Sequence, residues 1–398
     1  MNNIIFSLFI TSPIVIITII FSNNLFAENS NTMKINIIES APSIDAKAYI
    51  LIDYYSGKVL SEKNSDQRHN PASLTKMMTS YIICQTIKSG KISINDIVTI
   101  DKNSWAIGNQ ILKGSSLMFL KPADRVSVSQ LIRGINLQSG NDACIAIANY
   151  VAGDEDSFIK MMNINVKRLK LKNTHFLTVH GLDVDGQYTS AHDIALIGQA
   201  IIRDFPKEYA IYKEKEFSFN NINQLNRNSL LWDKSLNVDG IKTGYTTSSG
   251  YNLVASATDS GMRLISVILG DHSSKERDIK SKKLLSWGFR FFQTIKILQG
   301  GEEITSQPVL FANINDVKLG IKNDLYLTIP RGHMKDLKFN FILNNTKLRA
   351  PLTKNQVVGT INLQLNNKII EQQPLIVLTE VVKGGFFATI KDYIKMFN

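Results

Sequence analysis

Three short strings, far apart in the chain, can share one chemistry only if the fold brings a helix start, a helix break and a strand to one place. They are Ser73-Leu74-Thr75-Lys76, Ser139-Gly140-Asn141 and Lys242-Thr243-Gly244. Each is weak alone. Ser-x-x-Lys recurs at Ser157–Lys160, Ser-x-Asn at Ser93–Asn95, Ser218–Asn220 and Ser235–Asn237, and Lys88-Ser89-Gly90 mimics the third. The constraint lies in their order and local settings. Asn70-Pro71-Ala72-Ser73 leads into Leu74, Met77, Met78, Tyr81 and Ile82 on a helical period, and proline before such a run marks a helix start. The stretch from Leu131 to Val151 reads as helix broken at Ser139-Gly140-Asn141, with Ala and Ile dense after the break, as in the buried centre of an all-α subdomain.

Strands flank these helices. Ala48–Ile52 and Val59-Leu60 form a hairpin about Ser56-Gly57-Lys58. After Lys242-Thr243-Gly244 come strand-like runs at Gly250–Ala257 and Arg263–Leu269, joined at Asp259-Ser260-Gly261, and then a closing helix over Ser281–Phe292. Strand elements from both ends of the region with helices between imply an α+β domain: a sheet completed by distant segments, with a helical insertion packed on it. From Pro308 to Thr379 short alternating runs dominate, and an Asn366-Asn367 turn separates two of them, which indicates a small β-sandwich. It carries no chemical constellation and reads as a spacer or docking domain.

Both termini point toward a membrane. Ile4–Phe21 is apolar, and Leu25 and Ala27 sit at −3 and −1 of an export cleavage site, so the mature chain would begin at Glu28. The segment lacks a preceding Lys or Arg and is just long enough to span a bilayer, so a retained anchor is the alternative. At the other end, apolar residues at 386, 387, 390, 393, 394 and 397 cover an arc of roughly 120°, opposite Lys391, Asp392 and Lys395. That helix is too short to span a bilayer and suits its interface; docking on the protein's own surface is the rival reading. The division is an export signal over 1–27, a linker over 28–45, a catalytic domain over 46–293, a β-rich domain over 294–380 and an amphipathic anchor over 381–398.

With 398 residues, 44% hydrophobic and 20% charged, the chain has ample length for two cored domains. Its net charge of +11 comes from scattered lysines without interleaved aromatics. This favours a solvated surface or an anionic membrane or wall over nucleic acid. The two cysteines, Cys84 and Cys144, lie among apolar neighbours and read as unpaired buried thiols. The six histidines lack a zinc-ligand spacing, so no metal or other cofactor is implied.

A serine hydroxyl needs a neighbour to take its proton. At a helix start, residues i and i+3 share a face, so Lys76 can reach Ser73. A lysine held among cations and apolar walls deprotonates more easily and can act as general base. Lys242 can supply part of that field. Ser139 and Asn141 offer a hydroxyl and a carboxamide for proton relay and for holding a substrate amide. Lys242 and Thr243 can grip a carboxylate, Gly244 lets substrate backbone approach, and the amides of Ser73 and Tyr245 are candidate oxyanion donors. The rival Ser157–Lys160 follows Asp154-Glu155-Asp156, whose charge raises a lysine's pKa, the wrong direction for a base. Lys88-Ser89-Gly90 reads as a helix stop.

These motifs, with Asn237–Gly244 and Gly250–Thr258, resemble the low-molecular-mass penicillin-binding proteins, D-alanyl-D-alanine carboxypeptidases of the penicillin-binding protein 5/6 group. The resemblance implies a transpeptidase/β-lactamase-like catalytic domain, a β-rich second domain and a C-terminal amphipathic anchor. It implies a peptidoglycan pentapeptide stem as substrate, β-lactam antibiotics as ligands and a place on the periplasmic side of the inner membrane. It assigns Arg227 to the active-site wall and Arg277, in the loop after Leu269-Gly270, to positioning the substrate carboxylate. For both, a surface salt bridge is the alternative. His180 falls on the rim. Tyr245 stands where relatives carry histidine, which bears on rate or pH profile, and Thr246–Ser249 departs from relatives in charge. A class A β-lactamase would need a deacylating glutamate, and the single Glu-x-x-x-Asn in the interval, Glu216–Asn220, lies in a strand-like run. A cross-link endopeptidase and a non-catalytic penicillin sensor remain rival readings.

Overall fold

The computed structural model describes residues 40–386 apart from 106, together with 390 and 392–394. The proposed export signal and most of the linker lie outside the described residues. The chain forms two compact units, one over Ser40–Phe291 and one from Phe292 onward.

The first unit is built on a five-stranded antiparallel sheet. Its strands are β1 (Ala48–Asp53), β2 (Val59–Lys63), β3 (Asn237–Thr246), β4 (Gly250–Asp259) and β5 (Met262–Asp271), in the spatial order β2-β1-β5-β4-β3. The N-terminal hairpin thus completes a sheet whose other three strands come about two hundred residues later, as expected from strand signals at both ends. All six residues of β1 are buried, and its first five, Ala48–Ile52, form a continuous apolar run rather than an alternation. Helices cover both faces. A Cβ on Gly198 in the Ala191–Asp204 helix would meet Ile265, while one on Gly288 in the Ser274–Phe291 helix would meet Leu264. Neighbouring residues of a strand point to opposite faces, so the two helices sandwich β5.

The helical insertion carries the first two motifs. Helix α1 (Thr75–Lys88) buries 11 of its 14 residues, so it is enclosed nearly all round and not merely along one stripe, with its buried polar groups hydrogen-bonded to neighbours, as Thr79 is to the Val179 carbonyl and Ser80 to Asn136. Helix α2 (Val128–Asn136) starts in a reciprocal cap: the Gln130 N–H donates to Ser127 Oγ at 3.2 Å, and the Ser127 N–H to Gln130 Oε1 at 3.0 Å. The chain then breaks, with Ser139 in the left-handed region at φ 63°, and re-enters helix as α3 (Asn141–Ala152), whose first eight residues are buried.

Two expectations change. The closing helix runs over Ser274–Phe291, starting two turns before Ser281, because Ser273 Oγ accepts the Glu276 N–H at 3.1 Å and supports a charged first turn invisible to apolar periodicity. Arg277 therefore sits on that helix and not in a loop.

In the second unit a two-stranded sheet (Phe292–Leu298 with Leu325–Pro330) shares a core with a six-stranded one. The larger sheet runs in the order Leu337–Leu343, Val357–Leu365, Lys368–Val377, Asp316–Gly320, Thr305–Leu310, Leu348–Arg349. Val317, Leu319, Ile329, Ile361, Leu363, Leu375 and Val377 are fully buried between them. Asn366 and Asn367 both take positive φ (51° and 63°), as a two-residue hairpin of this twist demands. Beyond this unit's last strand, Gly384 donates its N–H to the Phe311 carbonyl, and residues 386, 390 and 392–394 are helical. Phe311 meets these residues from two sides: its N–H donates to Asp392 Oδ2 on the polar side at 2.6 Å, and its ring lies 5.1 Å from that of Tyr393, a member of the apolar arc. Phe386, Ile390 and Ile394 stay exposed. Phe387, Lys391, Lys395 and Phe397 lie outside the described residues.

Candidate active site

All three motifs converge. Ala72–Leu74 forms a short 3₁₀ turn at the start of α1, and Lys76 Nζ donates to Ser73 Oγ at 2.9 Å. The same ammonium donates to Asn141 Oδ1 at 2.6 Å and to the His180 carbonyl at 2.7 Å. Asn141 Oδ1 and the His180 carbonyl can only accept. When Lys76 is neutral, its two remaining hydrogens stay with those acceptors and its lone pair faces Ser73. Burial pushes Lys76 down to about 8, with Arg227 adding in the same direction and Cys144 and Asp142 opposing.

Lys242 is also buried, and its one described hydrogen bond goes to the Thr243 carbonyl at 3.0 Å. Burial first, then Lys76 and Arg227, hold its pKa well below the ordinary lysine value. The charge of Lys76 thus bears on Lys242, whereas the cation that lowers Lys76 is Arg227. Lys76 and Lys242 sit behind a cleft of about 780 Å³ that the other eight sequence-derived residues line: Ser73, Ser139, Asn141, Arg227, Thr243, Gly244, Tyr245 and Arg277.

The close approach of β3 to the 3₁₀ turn depends on a missing side chain. A Cβ on Gly244 would lie 3.3 Å from the backbone nitrogens of both Ser73 and Leu74, tighter than side chains normally pack. Ser73, Gly244 and Tyr245 are thereby brought together on the cleft wall. Across it, the Asn141 N–H donates to the Ser116 carbonyl at 2.8 Å, joining α3 to the 113–116 loop. Tyr245 is half exposed, with its ring 4.3 Å from that of its cross-strand partner Tyr251.

Arg277 is buried. It donates to Asp278 at 3.0 Å, to the Asn252 carbonyl at 3.2 Å and to the Arg227 carbonyl at 3.5 Å. Its ion pair is thus a buried brace on the cleft wall rather than a surface pair. Arg227 donates to Ser116 Oγ at 2.6 Å, and burial together with Arg277 lowers its pKa.

Three contributors escaped the sequence reading. The His180 carbonyl serves Lys76, whereas its ring is held neutral: burial and Lys76 push its pKa to about 3, and Nδ1 accepts the Leu182 N–H at 3.1 Å. Buried Asp142 accepts the Met118 and Leu120 N–H groups at 2.8 and 3.0 Å, pinning the loop behind Ser116. Asp183 reaches across to the end of β3. The rival signatures fall elsewhere. Ser157 is bound to the helix cap Asp154, Gly90 ends α1 at φ 73°, and Glu216 lies in the Glu216–Phe219 strand, outside the cleft lining. Cys84 and Cys144 are free, and burial drives each thiol up to about 12.

Residues 35–273 match the peptidase family described as D-alanyl-D-alanine carboxypeptidase. The chain belongs to this D-alanyl-D-alanine carboxypeptidase family. Residues 292–383 match the C-terminal domain of penicillin-binding protein 5. The chain is 60% identical over 395 residues to D-alanyl-D-alanine carboxypeptidase DacA of Escherichia coli K12, covering 99% of this chain and 98% of that one. Penicillin-binding protein 5 from Haemophilus influenzae superposes with a TM-score of 0.84 at 49% identity, over 87% of this chain and all of that one. Penicillin-binding protein 6B from Escherichia coli gives 0.73 at 42% identity, over 86% and 98%. The likenesses fit an α+β catalytic domain of transpeptidase/β-lactamase type followed by a β-rich domain. Within this carboxypeptidase-family chain, no helix among the described residues is long and apolar enough to cross a membrane.

Proposed function

We propose that the chain is a serine-type D-alanyl-D-alanine carboxypeptidase that trims the terminal D-alanine from peptidoglycan pentapeptide stems. One observation carries the reading: Lys76 is buried, touches Ser73 Oγ, and has both other hydrogen-bond positions taken by obligate acceptors. Ser73 attacks the carbonyl between the two D-alanines as Lys76 takes its proton, and the amides of Ser73 and Tyr245 hold the oxyanion. Ser139 lies in the left-handed break with a buried hydroxyl that has no hydrogen-bond partner among the described residues, which suits it to pass the proton to the leaving amine. Asn141 orients Lys76 as well as the substrate amide. The stem's carboxylate meets Lys242, Thr243 and Arg277, where the depressed cation of Lys242 gains the counter-charge it lacks, and Arg227, itself lowered by burial and by Arg277, forms the wall. Water then releases the trimmed stem. Penicillins acylate the same serine.

The test is direct. Purified protein incubated with a D-alanyl-D-alanine peptide is expected to release D-alanine, and labelled penicillin to mark Ser73. Stable labelling without release would assign a sensor; rapid penicillin hydrolysis would assign a lactamase, although no glutamate among the described residues lines the cleft. Cleavage of a cross-linked dimer in preference to the pentapeptide would assign an endopeptidase. Tyr245, where relatives carry histidine, bears on rate and pH profile rather than on the oxyanion amide.

For localisation, the proposal is export by residues 1–27 and peripheral attachment to the inner-membrane surface through 381–398. Phe311 grips Asp392 and Tyr393 but leaves Phe386, Ile390 and Ile394 exposed, which supports the attachment. Full-length chain is expected to sediment with anionic liposomes, and a chain cut before Lys383 to stay in solution. Equal partition of the two would sink the anchor.

A further inference from the structure

We propose that Asp183 is a positioning residue whose carboxylate braces the end of β3 against the rim loop, fixing both relative to Ser73. Asp183 is the one carboxylate among the described side chains that line the cleft, and both of its oxygens face the end of that strand. Thr246 Oγ1 donates to Oδ1 at 3.0 Å and Ser248 Oγ to Oδ2 at 2.8 Å. Asn70 Nδ2 donates to Ser248 Oγ at 2.7 Å. Asn70 immediately precedes Pro71, whose carbonyl accepts the Leu74 N–H where the chain enters the nucleophile's turn. One polar node therefore joins three segments: the approach to Ser73, the rim loop and the end of β3.

Two of those segments carry groups of the reacting centre. The rim loop supplies the His180 carbonyl that Lys76 needs, and β3 brings Gly244 against the Ser73 backbone and carries Tyr245, the proposed oxyanion donor, next to it in sequence. Gly181 seats the loop against the Ala72 carbonyl, so Asp183 fixes the loop's far side. Thr246 is one residue past Tyr245, so releasing its side chain frees the strand end that aims the amide. An oxyanion donor acts on the transition state, and a misplacement of a fraction of an ångström is felt there first. The carboxylate grip of Lys242, Thr243 and Arg277 does not depend on the node. The brace thus acts on acylation and kcat and leaves KM nearly unchanged.

The inference rests on the proposed activity, so the readout includes one that does not: the rate constant for acylation by labelled penicillin, measured beside kcat, KM and melting midpoint. Asp183→Ala is expected to lower acylation and kcat about tenfold, with KM within about twofold. The melting midpoint should move by less than about 2 °C, because the node is exposed. Asp183→Asn should recover most of the loss, since its carboxamide still accepts from one hydroxyl and can donate to the other. The Thr246→Val/Ser248→Ala pair should match Asp183→Ala, and adding Asp183→Ala to it should change nothing further. Unchanged acylation in Asp183→Ala, or additive losses, would overturn the brace. So would an equal loss in Asp183→Asn accompanied by a midpoint lowered by more than about 5 °C, which assigns Asp183 to folding. A wild-type chain that acylated without releasing D-alanine would sink the activity reading and leave the brace judged on acylation alone.

Discussion

Replacing Lys76 by methionine is expected to lower penicillin acylation and D-alanine release roughly a thousandfold, to nearly the Ser73→Ala baseline. Methionine fills much of the same volume but removes the group that takes the Ser73 proton. The unmodified enzyme carries a matching signature. Only neutral Lys76 can accept a proton, and burial places its pKa at about 8. The rate must therefore climb as pH rises through that value: the protonated form dominates below it and is inactive, while above it the lone pair faces Ser73. A pH–rate profile for acylation checks this, and a midpoint below 6.5 would move the base to another group. The neutral His180 ring is poorly suited to replace it, since its pKa of about 3 puts its titration far below the working range.

The second large effect is structural. Gly181→Ala is expected to lower the melting midpoint by roughly 5–15 °C and to remove most acylation, because left-handed strain and a hard overlap add. Gly181 has φ 91°, and a Cβ there would lie 1.9 Å from the Ala72 carbonyl oxygen and 2.7 Å from Thr75 Oγ1. Neither neighbour is the end of a flexible side chain, so the turn carrying Ser73 or the loop carrying His180 must move. Gly153→Ala is the control. Its φ of 86° imposes similar backbone strain, but nothing lies within 4 Å, so it is expected to cost only about 1 kcal/mol. If the two variants melted together, the overlap would be irrelevant.

The parts of the site that depend on side-chain identity at a set spacing were legible in the sequence. Ser73 and Lys76 are one turn apart, and Ser139 and Asn141 mark a helix break; from sequence Gly244 reads as room for substrate backbone, whereas the backbone it admits is that of Ser73 and Leu74. The hairpin at Asn366-Asn367 was legible for a similar reason, since few residues tolerate two positive φ values in succession. What escaped was anything delivered by the main chain or by cross-chain register. The His180 carbonyl leaves no trace, because every residue has one. Asp142 reads as an ordinary acidic residue in a first helical turn until the Met118 and Leu120 amides are seen to point at it. The early start of the closing helix escaped because its first turns, Lys275-Glu276-Arg277-Asp278, carry charge where the apolar period is silent.

The central strand of the catalytic unit also sets a schedule for the growing polypeptide. β1 pairs with β5 along its whole length, yet β5 is made roughly two hundred residues later, so an apolar segment emerges long before its partner exists. Until Met262–Asp271 appears, β1 has only β2 beside it and offers an open edge to other chains. Nor can the interval between them settle independently, because the Ala191–Asp204 helix needs the finished sheet to cover its apolar face. The catalytic unit therefore closes late and as a whole, and the nucleophile, encoded early, becomes a site only when nearly the entire unit has been synthesised.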